Sequence, residues 1–448
     1  MNTAICLRRI AAHAAAAAAV LSLLGCAGTS MGGSSDADLT LIHQVMARVK
    51  SSYVEPVTDD KLTRDSLKGM LTGLDPHSDY MDQSEYDEML SDAHGEFSGI
   101  GAELTRDESH PKVLSPIDDT PSALAGIRPA DVILRINGEP TETMSLKDAV
   151  DKLRGQAGTQ VRLTIGRSGQ KPFDVTLTRA LIRVSSVKSH LEPGRIGYLR
   201  VTTFMEKTQS ELIDALDRMR REAGGRLDGV VLDLRNDPGG LLDSAVNVAG
   251  DFLDGGTIVS IHGRASGEDE SFDARPSGDR LHGVPVVVLI NSASASASEI
   301  VAGALQDRHR ATILGTRSFG KGSVQTIIPL DGHGALRLTT ARYYTPSGRS
   351  IQGEGITPDQ VILPSKEEQV VDATAVHERD LHGALRNTGP EGGAQQSATL
   401  TPAGQPQDPT DDVAIDPTII GTAKDYQLAV ALKRLKEMVA RSAPAGRS

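Results

Sequence analysis

The stretch Val284–Leu330, VPVVVLINSASASASEIVAGALQDRHRATILGTRSFGKGSVQTIIPL, constrains the fold more than any other part of the chain. Val286–Ile290 is a short apolar run rich in β-branched residues and reads as a buried strand. Glu299–Gln306 carries Ile300, Val301, Ala304 and Leu305 at helical core spacing. Between them serines alternate with alanines, small enough for a sharp turn and the close approach of another segment. A second strand is predicted at Ala311–Leu314, a glycine-flanked lysine follows in Phe319-Gly320-Lys321-Gly322, and a third strand is predicted at Val324–Ile328.

A serine at a strand-to-helix turn is where α/β enzymes often place a nucleophile. The helix N-terminus adds free N–H groups and a positive dipole end, which favour a developing oxyanion. Ser296-Ala297-Ser298-Glu299 is equally a capping box, S-x-x-E, so these four residues leave capping and catalysis both open. A serine nucleophile needs a base, and a lysine serves only when desolvation keeps it neutral. Lys321 lies beside Phe319 in an apolar segment where such burial is expected, although a glycine-flanked lysine is also what an exposed loop carries. If Lys321–Gln325 is extended, the two side chains share a face and Gln325 can hold the amine.

In order, S-A-S-A-S-E-I and F-G-K-G-S-V-Q resemble the signature of the carboxyl-terminal processing proteases, periplasmic serine endopeptidases with a Ser-Lys dyad. The resemblance implies Ser296 as nucleophile, Lys321 as base and Gln325 as the residue supporting the base. Ala293 stands where that family usually has glycine.

At 448 residues the chain is long enough for two or three domains. Lys+Arg 47 against Asp+Glu 59 gives −12, and no basic stripe is present, which argues against a nucleic-acid partner. Residues 1–26 read as an export signal, with Arg8 and Arg9 ahead of the apolar run Ile10–Leu24. That run is short for a membrane span and His13 interrupts it. Leu23-Leu24-Gly25-Cys26 resembles a bacterial lipobox, which implies lipidation of Cys26 and a membrane anchor; an ordinary signal with an incidental cysteine is the alternative. With Cys6 lost in the signal, Cys26 is the sole thiol left, so neither a disulfide nor a catalytic thiol is expected. Residues 27–38, small and polar, read as a tether.

Residues 39–95 read as helical, with Leu41, Ile42, Val45, Met46 and Val49 on one amphipathic helix and a second suggested over Asp60–Leu71. His77 follows a helix-breaking Gly-Leu-Asp-Pro; no motif arranges an acid and a serine around it, so a capping or packing role is expected. LDPHSDYM resembles the family's N-terminal region, associated there with dimer formation, which implies a homodimer. Residues 96–178 resemble a PDZ domain: the turn Phe97–Leu104, a short helix at Ser122–Gly126, a strand at Asp131–Ile136 closed by Asn137-Gly138, a helix at Leu146–Leu153, and strands Val161–Gly166 and Phe173–Leu177. The resemblance implies that Gly99, Ile100, Gly101, Ala102 and Leu104 bind a peptide's terminal carboxylate and tail. Ala130 replaces a glycine common in that family.

Residues 179–364 return to α/β alternation. Strands are predicted at Ile196–Val201, Gly229–Leu234, Val286–Ile290 and Thr312–Leu314, and helices at Thr208–Ala223, Leu241–Leu253 and Glu299–Gln306. Asp233-Leu234-Arg235-Asn236-Asp237-Pro238-Gly239-Gly240 joins a strand to a helix start, a place suited to an anion or simply a tight turn. The family resemblance implies an oxyanion hole from the Ala297 N–H with Gly239 or Gly240; Asp237 stands where the family commonly has asparagine. Residues 365–424 read as a partly disordered linker, most clearly over Gly389–Pro417. Residues 425–448 read as a terminal helix and tail, with Leu428, Leu432 and Leu435 in one stripe for packing or oligomer contact.

The expectation is an α/β protein: a crotonase/Clp-like protease core, an inserted PDZ domain and a helical N-terminal region. It would cleave exported proteins with free C-termini in the bacterial periplasm, anchored through Cys26, with an adaptor lipoprotein as a further partner and no metal or other cofactor. The competing reading, from another class, is a PDZ binding scaffold with an inactive core.

Overall fold

In the computed structural model the described residues are 35–107, 109–264, 267, 269–370, 376–387 and 414–442. The export signal, Cys26 and the first part of the tether lie outside them. The chain divides into two units, residues 1–66 and 67–448. In the first, the helix Ser35–Ser52 begins inside the stretch read as tether and exposes Leu39, Leu41, Ile42 and Val45.

In the second unit, helical content alone does not describe residues 67–95. Asp79–Met81 is a strand, paired antiparallel with Ala335–Tyr344. Tyr80 and Met81 are buried there, so a short segment without helical periodicity becomes part of the core. The helix Gln83–His94 follows, started by an Asp82–Glu85 capping box and stopped by Gly95 at φ 70°.

The expected PDZ module is a six-strand sheet, with Ala102–Asp107, His110–Pro116, Val132–Ile136, Gln160–Gly166 and Phe173–Thr178 in that order and Glu139–Pro140 beside the third. Its helices are Pro121–Leu124 and Leu146–Leu153. Ile133, Ile136, Val161, Leu163 and Ile165 fill a core of its own. Glu96–Gly99, at the start of the expected PDZ range, pairs instead with Ala180–Arg183, so the strands entering and leaving the module close its base.

Residues 187–361, within the expected catalytic core, have a six-strand sheet in the order Val187–Glu192, Ile196–Val201, Gly229–Asp233, Val286–Ile290, Ala311–Gly315, Gln360–Val361. All neighbours are parallel except the first pair. Both faces are covered, which is why Gly229–Asp233 and Val286–Ile290 are buried at every residue rather than alternately. The helices Thr208–Glu222, Leu242–Gly250 and Ala297–Asp307 pack with Val230, Leu232, Val286 and Val288 on one face. Leu428, Ala431 and Leu435 of the terminal helix Tyr426–Ser442 cover Val231, Val287 and Leu289 on the other. The leucine stripe is therefore core packing.

A second antiparallel sheet, not anticipated from the sequence, joins Asp79–Met81, Ala335–Tyr344, Gly256–Gly263 and Glu270–Ala274, and Ser323–Pro329 pairs with Ala335–Tyr344. The strand after Lys321 thus belongs to this sheet and not to the parallel one. The expected linker also contains ordered pieces. Glu378 is fully buried in a short 3-10 turn, and Ile415 is buried and bridges to Gln369; most of Gly389–Pro417 lies outside the described residues.

Candidate active site

Ser296 stands where the strand Val286–Ile290 gives way to the helix Ala297–Asp307, and its backbone is at φ 56°, ψ −112°. A non-glycine residue holds such angles only when its surroundings impose them, and such strain clusters at functional turns. Here they come from the neighbouring turn after Gly229–Asp233. Ala295 N–H donates to the Asp237 carbonyl at 3.0 Å, the Ser298 hydroxyl to the same oxygen at 3.1 Å, and the Ser294 hydroxyl to the Leu234 carbonyl at 2.7 Å. Asn236 and Asn291 exchange bonds of 2.9 and 2.6 Å. The serines flanking Ser296 are thus spent on stitching, and Ser296 is left at the apex.

Gly239 lies against that apex. A Cβ on it would come within 2.9 Å of the Ala297 nitrogen and 2.9 Å of the Ser296 Cβ, and its φ is 100°. Gly240, at φ 143°, is pressed on the Phe204 carbonyl, where a Cβ would sit at 2.1 Å. Ala297 is the first helical residue, so its N–H has no acceptor within the helix. The Gly239 N–H donates to Asp237 Oδ1 at 2.8 Å. Asp237 is wholly buried, its Oδ2 has no partner, and burial pushes its pKa up to about 8.

Glu299 joins this turn to the lysine loop. One oxygen, Oε2, accepts both the Ser296 N–H and the Lys321 N–H at 2.8 Å; the other accepts the Gly320 N–H at 2.7 Å and the Ser318 hydroxyl at 2.5 Å. Burial pushes its pKa up to about 7, while these four donors pull the other way. The capping box exists on its Glu299 side, but the carboxylate also spans two loops, which four letters of sequence do not reveal.

Lys321 is partly buried, and its Nζ donates to Gln325 Oε1. Desolvation holds its pKa below the ordinary lysine value, against the opposing fields of Glu378, Glu299 and Asp75 and with the help of Arg337. Gln325 is itself oriented, its Nε2 donating to Ser323 Oγ at 3.0 Å and Thr339 Oγ1 at 3.2 Å, and Thr339 in turn donates to Asp75 at 3.0 Å. The Ser296 side chain meets the Tyr343 phenol; that bond lowers the phenol's pKa, but burial dominates and pushes it up to about 12.

The family model for peptidase family S41 matches residues 195–362, one for the PDZ domain matches 112–167, and one for the N-terminal domain of the activating protease CtpB matches 20–85. A carboxy-terminal-processing protease of Bartonella bacilliformis is 49% identical over 383 residues, 84% of this chain and 86% of that protein. The chain belongs to the carboxy-terminal processing proteases. It is a serine peptidase of family S41. The carboxy-terminal processing protease CtpA of Bacillus subtilis is 35% identical over 341 residues, covering 75% of this chain and 71% of that one. Among solved structures, a photosystem II D1 C-terminal processing protease matches at 31% identity and a TM-score of 0.44, covering 72% of this chain and 92% of that one.

In this protease the predicted PDZ residues occupy a separate place. Ile100 is buried in the PDZ core, with Ala102 and Leu104 packed against it. Gly101 is at φ 76°, its carbonyl taking bonds from the Ile117 N–H at 2.9 Å and the Thr120 hydroxyl at 2.9 Å. A Cβ there would fall 2.3 Å from Thr120. The strand Ala102–Asp107 that they begin is an edge strand of its sheet. Ala130, replacing a glycine, sits at φ 69°, the backbone region that favours glycine.

Sequence reasoning missed the second ring of the protease site: Glu299 as a bridge, Tyr343, Asp75 and Glu378. His77, expected as a cap or packing residue, puts its Nε2 2.7 Å from Glu378 Oε2. No helix among the described residues is long and apolar enough to cross a membrane.

Proposed function

We propose that this protease cleaves proteins at or near their C-termini with Ser296 as nucleophile and Lys321 as general base. The observation carrying the reading is the single Glu299 oxygen that accepts the N–H of both residues, which holds the serine turn and the lysine loop against each other. Desolvation favours the neutral amine that a base requires. Neutral Lys321 takes the Ser296 proton as Oγ attacks the scissile carbonyl. The oxyanion is met by the Ala297 N–H and the Gly240 N–H of the facing turn; the Gly239 N–H is taken by Asp237 Oδ1. Lys321 returns the proton to the leaving amine, and water releases the acyl group by the same route. Gln325 holds the amine between these transfers, and Lys321 swings from it to Ser296 in the reaction.

The PDZ module selects and gates in this reading. The N–H groups of the Gly99–Ala102 turn take the substrate's terminal carboxylate, and its tail adds as a strand beside Ala102–Leu104. Apolar tails are favoured because Ile100 and Leu104 flank the turn. The protein is exported to the periplasm and anchored through lipidated Cys26; it pairs as a homodimer through its N-terminal region and works with an adaptor lipoprotein.

The test is cleavage of two matched apolar peptides, one with a free carboxylate and one amidated, by the wild type, Ser296→Ala, Lys321→Ala and Lys321→Arg. All three variants should be inactive with the fold intact, since a guanidinium stays protonated. An active Lys321→Arg enzyme rejects the base. Equal cleavage of both peptides, unchanged when Gly99 and Gly101 carry bulky residues, rejects the gate. Mass spectrometry of the mature N-terminus and membrane partition of Cys26→Ser check the anchor.

A further inference from the structure

Past residue 362, where the match to the peptidase family ends, the chain returns to the lysine loop. His377 Nδ1 lies 3.2 Å from the Ser318 carbonyl, and the Glu378 N–H donates to the Phe319 carbonyl at 3.0 Å. From the same side, the Gly353 N–H donates to the Gly320 carbonyl at 2.8 Å, and Gln352 Oε1 accepts the Gly322 N–H at 3.0 Å. The backbone on both sides of Lys321 is therefore gripped from outside the motif that contains it. The fit is close: a Cβ on Gly322 would come within 2.3 Å of the Gln352 nitrogen.

Glu378 is the centre of this grip. Its carboxylate is buried, with Oε1 taking the Gln352 amide at 2.9 Å and Oε2 lying 2.7 Å from His77 Nε2. Burying a carboxylate is costly unless its partners compensate, and an amide side chain would make a cheaper clamp. A charge in this position acts on what lies near it. The groups facing Lys321 are Glu378 from this segment, Arg337 from the strand Ala335–Tyr344, Glu299 from the serine helix and Asp75 from the turn before His77, and of the four Glu378 exerts the strongest field. His77 binds Glu378 from the far side, and its carbonyl accepts from Arg337 Nε at 3.0 Å.

We propose that residues 376–381 are a strap that fastens the Lys321 loop in its working position, with Glu378 as the positioning residue and His77 as its tie to the N-terminal turn. The proposal rests on Lys321 being the base. The strap does two things at once: it holds the loop's backbone, and it places beside the amine a negative charge that favours its protonated form.

The experiment compares kcat and KM from about pH 5 to 10 for the full chain and its variants, using an apolar peptide with a free carboxylate. Glu378→Gln keeps the side-chain volume and removes the charge; the bond to the Phe319 carbonyl comes from the backbone N–H and survives any change of side chain. The variant's acid limb of kcat/KM should move to lower pH, so that it outpaces the wild type on the acid side while KM stays put. Glu378→Ala also removes the side-chain contacts to Gln352 and His77, which loosens the grip on the loop, and should lose roughly ten- to a hundredfold in kcat at unchanged KM. If the Gln variant does not fold, His77→Ala, on a partly exposed side chain, replaces it. Removing the tie leaves the carboxylate's field less compensated, and the acid limb should move to higher pH. Lys321→Arg is run alongside: its inactivity upholds the base, so that an unmoved limb then counts against the strap alone. A limb that coincides with the wild type in the charge-removing variant, with melting temperature the only property changed, overturns the proposal.

Discussion

The turn presenting Ser296 and the loop presenting Lys321 are built by opposite means. The serine turn is made where two adjacent parallel strands end, and its bonds run between residues 234–240 and 291–298. Short side chains and backbone groups of these two segments make those bonds. The lysine loop is assembled from side chains scattered along the chain: Asp75 and His77, Gln325, Thr339, Gln352 and Glu378. A turn held by short side chains and backbone within its own two segments is rigid by construction. A loop held by distant side chains can be adjusted by whatever moves them, which makes the base side the natural place for control.

Glu299 takes donors from both sides, so its loss should have the largest effect. Glu299→Ala leaves three buried donors and one partly buried donor unpaired, and we expect a loss of about 3–5 kcal/mol in stability with activity abolished. Urea unfolding and peptide cleavage check this. If Glu299→Ala keeps both, the two sides are independent and the comparison fails. Gly240→Ala comes next. Its Cβ would meet the Phe204 carbonyl at 2.1 Å with nowhere to go, so activity should fall by at least about a hundredfold. Gly353→Ala, on the lysine side, meets only the Arg379 Cβ at 3.9 Å and should be limited to the strain of its φ of 71°, about 1 kcal/mol. Equal losses in the two would erase the distinction between a rigid turn and an adjustable loop.

Asp237 sharpens it through pH. Its folded pKa, raised by burial to about 8, lies above that of an unfolded aspartate, so the folded state holds the extra proton. Stability is therefore lost as pH rises from the ordinary carboxylate range to about 8, and level beyond it. Asp237→Asn keeps an acceptor for the Gly239 N–H and removes the titration. Its melting temperature should exceed that of the wild type at pH 9, with the gap closing towards pH 5, and its cleavage rate should hold where the wild type declines. Parallel melting curves across that range would show that Asp237 does not titrate in the serine turn. The smallest effect is expected away from both sides: Ala130→Gly relieves a left-handed alanine and should stabilise the PDZ module by about 0.5–1 kcal/mol with cleavage unchanged.

The same contrast explains what was legible. The strand, turn and helix around Ser296 announce themselves because a buried parallel strand is continuously apolar and its turn needs small residues next to it in sequence. The PDZ strands alternate and were equally readable. The sheet containing Gly256–Gly263 and Ala335–Tyr344 was not, since SIHG and LRLTTARYY mix polar and apolar residues without a clean period. Glu378 lay in a segment whose composition reads as linker; nothing local distinguishes a buried glutamate from a solvated one.

By itself, then, the order of residues determined the four central strands of the main sheet and the strand, turn and helix around Ser296, while the pairing of Ser296 with Lys321 and Gln325 came with the resemblance to a family. The strands and the turn depend on hydrophobic period and on short-range stereochemistry, both of which act within a few residues. Tertiary structure alone decided that Glu299 spans the two loops, that Asp79–Met81 joins a core sheet, and that residues 376–378 close over Phe319. Buried polar groups must find partners, but burial is a property of the packed chain, and which partner is in reach depends on segments up to 301 residues apart, as His77 and Glu378 are.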